Sequence, residues 1–119
     1  MRFLLAILMT LHGVAHGVGF VVTWRLTDLQ DMPHDTTLLS GTVDVGETGI
    51  RVVGVLWLIT GIAFLVAAAA ALLGAAWWPT LTVVAALVSL PLSIAGWPEA
   101  RIGVVVDVIL LLLIAAGVR

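Results

Sequence analysis

The sequence has no cysteine and few charged residues, and both absences restrict what the protein does. Without cysteine the chain forms no disulfide, no thiolate metal site, no iron–sulfur centre and no cysteine-based catalytic site, which excludes a membrane thiol-redox enzyme. Charged residues make up 10% of the 119 residues, and the net charge is −2. The basic residues other than histidine are all arginine and form no basic stripe, so we expect no nucleic-acid partner.

Apolar residues are what the sequence has in excess. They make up 62% of the chain, whereas a soluble domain has about 45–50% apolar and about 25% charged residues. Too few polar residues are present to cover a water-soluble surface, so we expect the lipid bilayer to be the solvent. The composition predicts an all-α integral membrane protein.

Four long apolar runs predict four transmembrane helices in a single domain, residues 1–119. The spans are expected at about 3–24, 50–74, 80–95 and 100–118, with a longer polar loop at 25–49. Short connections between the later spans favour an up-down-up-down four-helix bundle. The first run stays apolar beyond the length of a signal-peptide core, so we expect an uncleaved span.

Local signals predict where the helices begin and end. Asp44, with Glu47 three residues later, has the D-x-x-E form of a capping box and predicts the start of the second helix. Glu47 and Arg51 have the i,i+4 spacing of a helical ion pair. Pro79 suits the first turn of the third helix, and Pro91 predicts a kink or a frayed end. Periodicity does not decide whether part of the polar loop is a short interfacial helix or a strand.

The predicted orientation follows from the number of spans and the first residues. Four spans put both termini on one side of the membrane. The arginine counts on the two sides nearly tie, but the signal-like start with Arg2 favours a cytoplasmic N-terminus. We therefore expect a multi-pass plasma-membrane protein with both termini in the cytoplasm and the acidic loop outside.

Polar side chains from all four predicted spans fall at similar depths. At 1.5 Å per residue, His16 is expected about 12 Å below the outer helix ends and His12 about 18 Å below them. Trp57, Ser89 and Asp107 are expected about 9–10 Å below the same ends. This layer predicts an outward-facing pocket with His12 at its floor. The residues expected to bind a ligand or a proton are His12, His16, Trp57, Ser89 and Asp107. The residues expected to form a charged rim are Arg25, Glu47, Arg51, Glu99 and Arg101.

The two histidines allow several interpretations. They lie four residues apart on one helix face, which suits a proton relay, a ligand contact or a metal site with Asp107 as third ligand. The alternative is two neutral rings that hydrogen-bond neighbouring helices as packing contacts. Asp107 is the one carboxylate deep in a predicted span. His16 is its expected partner, with an arginine reaching inward from the rim as the alternative. Haem is disfavoured, because residues four apart on one helix cannot occupy opposite axial positions. We predict no catalytic residue and expect no cofactor.

Gly13 and Gly17 form a G-x-x-x-G pattern beside the histidines, which permits close helix packing within the bundle or between protomers. Three segments, LHGVAHGVGF, DVGETGIRVVGVLWL and GWPEARIGVVVDVILL, resemble a group of small four-helix bacterial membrane proteins, some of which carry a transporter-permease label. They contain all the site residues named above except Arg25 and Ser89. The overall plan is also loosely similar to DoxX-like four-helix proteins. The resemblance implies a four-helix membrane fold and no defined activity.

The leading hypothesis is a non-enzymatic membrane protein that binds or passes a small solute, a proton or a lipid through the outward pocket. We expect it to be a homo-oligomer or part of a membrane complex. One alternative is an accessory subunit of a larger membrane complex, and another is a membrane oxidoreductase or metal-binding protein.

Overall fold

The computed structural model describes residues 1–27 and 34–119, and in them the chain forms four α-helices and one short β-hairpin. The helices are α1 (Arg2–Thr23), α2 (Gly46–Leu73), α3 (Trp78–Ala95) and α4 (Arg101–Ala115). The hairpin pairs β1 (Thr37–Leu38) with β2 (Val43–Asp44) in antiparallel register. The expected all-α class is confirmed. Residues 28–33 of the predicted polar loop lie outside the described residues.

Contacts between the helices fix their relative directions. Residue numbers run in opposite directions across the α1–α2 and α3–α4 contacts, and in the same direction across the α1–α3 contact. Between α1 and α2 the contacting pairs are Gly13–Gly61 and Thr23–Gly54. Between α3 and α4 they are Ser89–Asp107 and Ser93–Gly103. Between α1 and α3 they are Met9–Thr82 and His16–Ser89. The four helices therefore alternate in direction along the chain.

Three of the four helices, α1, α2 and α3, are long and apolar enough to cross a membrane. The fourth, α4, has 15 residues and rises only about 22 Å, which is less than the roughly 30 Å of a hydrocarbon core. The predicted fourth span extended to residue 118, but the helix ends at Ala115 and Gly117 adopts a positive φ of 86°. The sequence therefore overstated the length of the last helix.

The capping box predicted at the start of α2 does not form, because it requires Asp44 as the N-cap residue and the helix begins one residue later. Val45 is the N-cap residue, and no side chain caps the helix. The Asp44 carboxylate instead accepts hydrogen bonds from the Gly46 amide at 2.9 Å and the Thr36 hydroxyl at 3.0 Å. Gly46 has a φ of +71°, a conformation that glycine adopts at little cost and that turns the chain from β2 into the helix.

The predicted polar loop contains a strand pair, which resolves the choice that periodicity left open. The turn between the strands has Leu39, Ser40 and Gly41 at positive φ. The Leu39 amide donates to the Ala95 carbonyl at 2.7 Å, and the Ser40 hydroxyl donates to the Trp97 carbonyl at 2.9 Å. The Ala95 carbonyl belongs to the last turn of α3, where it has no partner within the helix. The hairpin is thereby held against the α3–α4 connection.

The half of the bundle away from the hairpin is filled by a dense apolar core. Its larger members come from all four helices, and small alanines of α2 allow close approach. The buried residues of this core are Leu5, Ala6, Met9, Phe64, Ala67, Ala68, Ala70, Ala71, Trp78, Ala85, Ala86, Leu110 and Ile114. Pro79 lies in the first turn of α3, as predicted, and the helix continues past Pro91 to Ala95.

Candidate functional site

A cavity of about 520 Å³ opens at the hairpin end of the bundle. Its wall is formed by the second half of α1, the first half of α2, the hairpin, and the chain from the end of α3 to the start of α4. Most of this wall is apolar. The side chains on it that carry hydrogen-bonding atoms are His12, His16, Thr23, Asp35, Thr37, Ser40, Trp57, Ser93, Trp97 and Glu99.

Glycines on α1 and α2 determine how close these two helices lie beside the cavity. A Cβ atom on Gly13 would lie 2.8 Å from the Gly61 carbonyl oxygen, so the two backbones touch there. A Cβ atom on Gly19 would lie 2.8 Å from the Trp57 ring, which therefore occupies the space above that glycine. Gly17 has no atom within 4 Å of its would-be Cβ. Of the predicted G-x-x-x-G pair, the described contacts use Gly13 alone.

Four short polar contacts join the two histidines of the inner wall to each other, to α3 and to α4. His12 Nε2 lies 2.8 Å from Asp107 Oδ1, and Ser89 Oγ lies 2.7 Å from Asp107 Oδ2. His16 Nε2 lies 2.8 Å from Ser89 Oγ, and its Nδ1 lies 2.8 Å from the His12 carbonyl oxygen. We call these four residues, His12, His16, Ser89 and Asp107, the buried cluster.

The buried cluster lies among aromatic rings of α2 and is almost fully removed from solvent. His16, Ser89 and Asp107 expose 1% or less of their surface. The Phe64 ring centroid is 4.8 Å from that of His12, and the Trp57 centroid is 4.9 Å from that of His16. The two imidazole rings meet edge to face at 4.5 Å. These contacts fix both rings and leave little freedom for a different hydrogen-bond partner.

The structure brings the five predicted pocket residues into contact with one another, but it divides them into two groups. His12, His16 and Trp57 line the cavity. Ser89 and Asp107 lie behind the histidine rings and are not part of the described wall. The predicted partner of Asp107 was His16, and this is wrong: His12 makes the direct contact, and His16 reaches the carboxylate through Ser89.

Comparison of the chain with protein-family models, curated proteins and solved structures gives no match. The site is therefore interpreted from its own geometry. The resemblance to small bacterial four-helix membrane proteins stays a prediction.

Of the five residues expected to form a charged rim, Glu99 alone belongs to the described wall of the cavity. Glu47 forms an ion pair with Arg25 and lies 3.3 Å from His34 Nε2, so the predicted Glu47–Arg51 pair is replaced. Arg51 lies over the Trp24 ring, 5.1 Å from its centroid. Arg101 is exposed at the start of α4, and neither it nor Arg25, Glu47 and Arg51 belongs to the described wall.

Asp35 contributes a carboxylate to the hairpin side of the cavity. The Thr37 hydroxyl donates to it at 2.7 Å and the Thr37 amide at 2.9 Å. These two hydrogen bonds, the hydroxyl first, lower the pKa of Asp35 below its ordinary value. The hairpin side of the cavity therefore carries a negative charge at neutral pH.

The three residues considered from sequence as metal ligands do not converge on one point. Among residues 1–27 and 34–119, no group of three histidine or acidic side chains has an arrangement suited to a metal ion. His12 and Asp107 use their facing atoms on each other, and Ser89 stands between His16 and Asp107. The geometry is that of a hydrogen-bonded cluster.

Ser93 is a wall residue that sequence reasoning missed. Its side chain is fully buried, and its hydroxyl oxygen has no hydrogen-bond partner within the described parts of the chain. A Cβ atom on Gly103 would lie 2.7 Å from this oxygen and 3.5 Å from His12 Cε1, so the hydroxyl and the His12 ring lie beside the same glycine. Ser93 follows Ser89 by four residues and therefore lies on the same helix face, and this spacing is the sequence signal that would have indicated it.

Proposed function

We propose that the protein is a multi-pass membrane protein whose cavity binds a small ligand with an apolar body and one polar group. The observation that carries this proposal is the cavity of about 520 Å³, with an apolar wall that ends on His12, His16 and Ser93. Its volume lies in the range of about 300–1,000 Å³ that is usual for small-molecule sites. Mostly apolar walls with a few polar atoms are also typical of such sites.

The membrane setting is supported by the outward faces of the helices. Phe3 and Leu11 on α1 are 57% and 65% exposed, and Ile102 on α4 is 72% exposed. Apolar faces of this kind on long apolar helices suit lipid contact. In the proposed arrangement all four helices are embedded in the plasma membrane, with α4 as a short fourth span. Both termini lie in the cytoplasm, and the hairpin and cavity face outside.

Binding is favoured over passage because the cavity lies at one end of a filled bundle. No described wall residue of α1 precedes His12. Beyond that level Met9, Phe64 and Leu110 are fully buried in the apolar core. A solute would have to displace this packing to cross, and close-packed cores resist such displacement.

The polar group of the ligand is expected at the inner wall, where unused hydrogen-bonding capacity is concentrated. Leaving a buried hydroxyl without a partner costs roughly 1–3 kcal/mol, and a ligand recovers part of that cost if the Ser93 hydroxyl turns towards the cavity to pair with it. The adjacent His12 ring lines the same wall. The apolar body of the ligand would lie against Val18, Val22 and Val53, nearer the opening.

Photolabelling tests this proposal directly. The probe is a diazirine-bearing octyl alcohol added to the full-length protein in lipid nanodiscs, with labelled positions mapped by mass spectrometry. We expect labels to concentrate on cavity-wall residues such as Val18 and Val53 and to be displaced by excess unlabelled octanol. Labels spread evenly over lipid-facing residues such as Leu11 and Ile102, with no displacement, would reject a binding cavity.

Association with other chains is a separate prediction. A homo-oligomer or an accessory subunit of a larger membrane complex is expected from the small size of the chain and the glycine pattern on α1. The mass of the particle purified in mild detergent distinguishes these two possibilities, since a stoichiometric foreign partner identifies a complex and a uniform multiple of 12.5 kDa identifies a homo-oligomer.

A further inference from the structure

The hydrogen bonds of the buried cluster need more hydrogen atoms than its groups supply in their ordinary states at neutral pH. The four contacts of 2.7–2.8 Å each require one hydrogen between two electronegative atoms. A neutral imidazole carries one N–H, a serine hydroxyl one O–H and a carboxylate none. His12, His16 and Ser89 therefore supply three hydrogens for four contacts.

We infer that the buried cluster is a binding site for a single proton, which supplies the fourth hydrogen. The contact of His16 Nδ1 with the His12 carbonyl uses the N–H of His16, because a carbonyl only accepts. The contact of His12 Nε2 with Asp107 uses the N–H of His12. The remaining contacts, on either side of Ser89, share one hydroxyl hydrogen, so one of them lacks a hydrogen until a proton is bound.

The bound proton has two positions that satisfy every contact. In the first, Asp107 is a carboxylic acid that donates from Oδ2 to Ser89, and the Ser89 hydroxyl donates to His16 Nε2. In the second, His16 carries both ring hydrogens and donates to Ser89, which donates to the Asp107 carboxylate. Moving one proton from Asp107 to Ser89 while another moves from Ser89 to His16 converts the first pattern into the second. The proton count is the same in both, so the titration belongs to the cluster as a whole.

Burial supports proton binding independently of the hydrogen count. With a carboxylate and two neutral rings the cluster carries a charge of −1, and one added proton makes it neutral. Asp107 is fully buried, and a charge in such a position is unfavourable because it has lost its hydration. The groups of α2 that face the rings are the aromatic side chains of Phe64 and Trp57, which offer no countercharge. The first of the two patterns contains no ions and is the one that burial favours.

The cavity gives the proton a route to the cluster. His12 and His16 line the wall, and His12 Nδ1 is the one ring nitrogen that takes no part in the four contacts, so a proton taken from water in the cavity enters the cluster at His12. The other ionisable groups on the described wall are Asp35 on the hairpin and Glu99 before α4. Their carboxylates would favour protons in the cavity over anions. This inference goes beyond the proposed ligand site and does not require a ligand.

The protonation states are measurable by NMR on the full-length protein in lipid nanodiscs, with ¹⁵N-labelled histidine and ¹³C-labelled aspartate. The measurement is made at about pH 8, where isolated imidazole and carboxyl groups hold no extra proton. We expect either a protonated Asp107 carboxyl with two singly protonated rings, or an Asp107 carboxylate with a doubly protonated His16. An Asp107 carboxylate together with two singly protonated rings would overturn the inference.

The Asp107→Asn variant provides a second test, because an amide imitates the protonated acid. Its N–H₂ group donates to Ser89 and its oxygen accepts from His12, so all four contacts are made without a captured proton. Folded wild type holds one proton more than its unfolded chain above about pH 7, so its stability falls as the pH rises. We expect this fall in the unfolding temperature of wild type and its absence in Asp107→Asn. Equal pH dependence in the two proteins would contradict the inference.

The exposed carboxylate Asp44 supplies the matched control. It lies in β2, outside the buried cluster and the described wall of the cavity. We expect Asp44→Asn to keep the pH dependence of wild type above about pH 7, where an exposed carboxyl group is already ionised. Loss of the dependence in this variant as well would show that the effect does not come from Asp107. The NMR measurement needs only wild type, so failure of a variant to fold does not affect it.

Discussion

Asp35 is the wall carboxylate with the best-defined electrostatic surroundings. Its pKa lies below the ordinary value of 3.8, chiefly because of the Thr37 hydroxyl. A lowered pKa means that these hydrogen bonds stabilise the hairpin above the unfolded pKa, and that the stabilisation is lost as the pH falls through the lower folded value. The charge of Asp35 therefore persists to more acidic pH than that of a free aspartate.

Replacing Thr37 with valine tests the source of this effect. Thr37→Val keeps the backbone amide and removes the hydroxyl, so the pKa of Asp35 should rise part of the way towards 3.8. A carboxyl ¹³C titration measures it. Thr42→Val is the matched control, because the Thr42 hydroxyl donates to the Leu39 carbonyl and not to Asp35. An unchanged pKa in Thr37→Val would show that the hydroxyl is not the cause.

The partner of Asp107 illustrates what a sequence leaves undetermined about single residues. Counting residues from the helix ends predicted similar heights for His16, Ser89 and Asp107, and the cluster does join them. The count placed His12 about 6 Å deeper than His16, yet His12 contacts Asp107 directly. Height does not fix the direction in which a side chain points around its helix axis. That direction depends on packing between helices, and here it turns His12 towards the carboxylate and leaves Ser89 in front of His16. His12 and His16 are four residues apart, which amounts to about 6 Å along α1.

The α1–α2 pair is the contact that holds the inner wall of the cavity in place. Gly13 and Gly61 bring the two backbones together, with the would-be Cβ of Gly13 only 2.8 Å from a carbonyl oxygen. A backbone atom cannot move aside as a flexible side chain does. The sequence contained the G-x-x-x-G signal, but the partner Gly61 and the open surroundings of Gly17 depend on the rotation of each helix.

Alanine substitutions at Gly13 and Gly17 of α1 should therefore change the stability in opposite directions. Gly13→Ala should destabilise the protein by about 1–3 kcal/mol, because overpacking forces the helices apart. Gly17→Ala, which meets no atom within 4 Å, should stabilise it by up to about 1 kcal/mol, because alanine is the better helix former. Equilibrium unfolding in detergent micelles measures both. Equal effects of the two substitutions would contradict the described helix contact.

The hairpin is an element that local sequence signals do not predict. Leu39 and Ser40 have φ values of 53° and 56°, a region that residues other than glycine, asparagine and aspartate seldom adopt. Contacts with the α3–α4 connection hold them there, through the Leu39 amide and the Ser40 hydroxyl. A turn determined by distant parts of the chain leaves no periodic signal. The four helices were predictable because each apolar run is long.

The bundle as a whole has its hairpin and cavity at one end and both termini at the other. This follows from four helices that alternate in direction, and it makes the proposed orientation testable. Since the chain lacks cysteine, single cysteines report accessibility without background. Ser40 on the hairpin and Ala76 between α2 and α3 are exposed positions on opposite ends.

An impermeant maleimide applied to intact cells should label Ser40→Cys and leave Ala76→Cys unlabelled until the membrane is permeabilised. This result is expected if the hairpin lies outside and the termini in the cytoplasm. Labelling of Ala76→Cys alone in intact cells would reverse the orientation. Labelling of both before permeabilisation would contradict a four-span arrangement.

The central claim is that the hairpin-end cavity binds a small amphiphilic ligand, and filling the cavity tests it most directly. Val18 lines the cavity, whereas Val14, one turn earlier on α1, is 61% exposed and outside the described wall. The measurement is octanol-displaceable labelling by the diazirine-bearing octyl alcohol in Val18→Trp and Val14→Trp. Our account predicts a loss of roughly 5- to 150-fold in Val18→Trp, since a misfit in a binding pocket costs about 1–3 kcal/mol, and wild-type labelling in Val14→Trp. Equal labelling of both variants would contradict it.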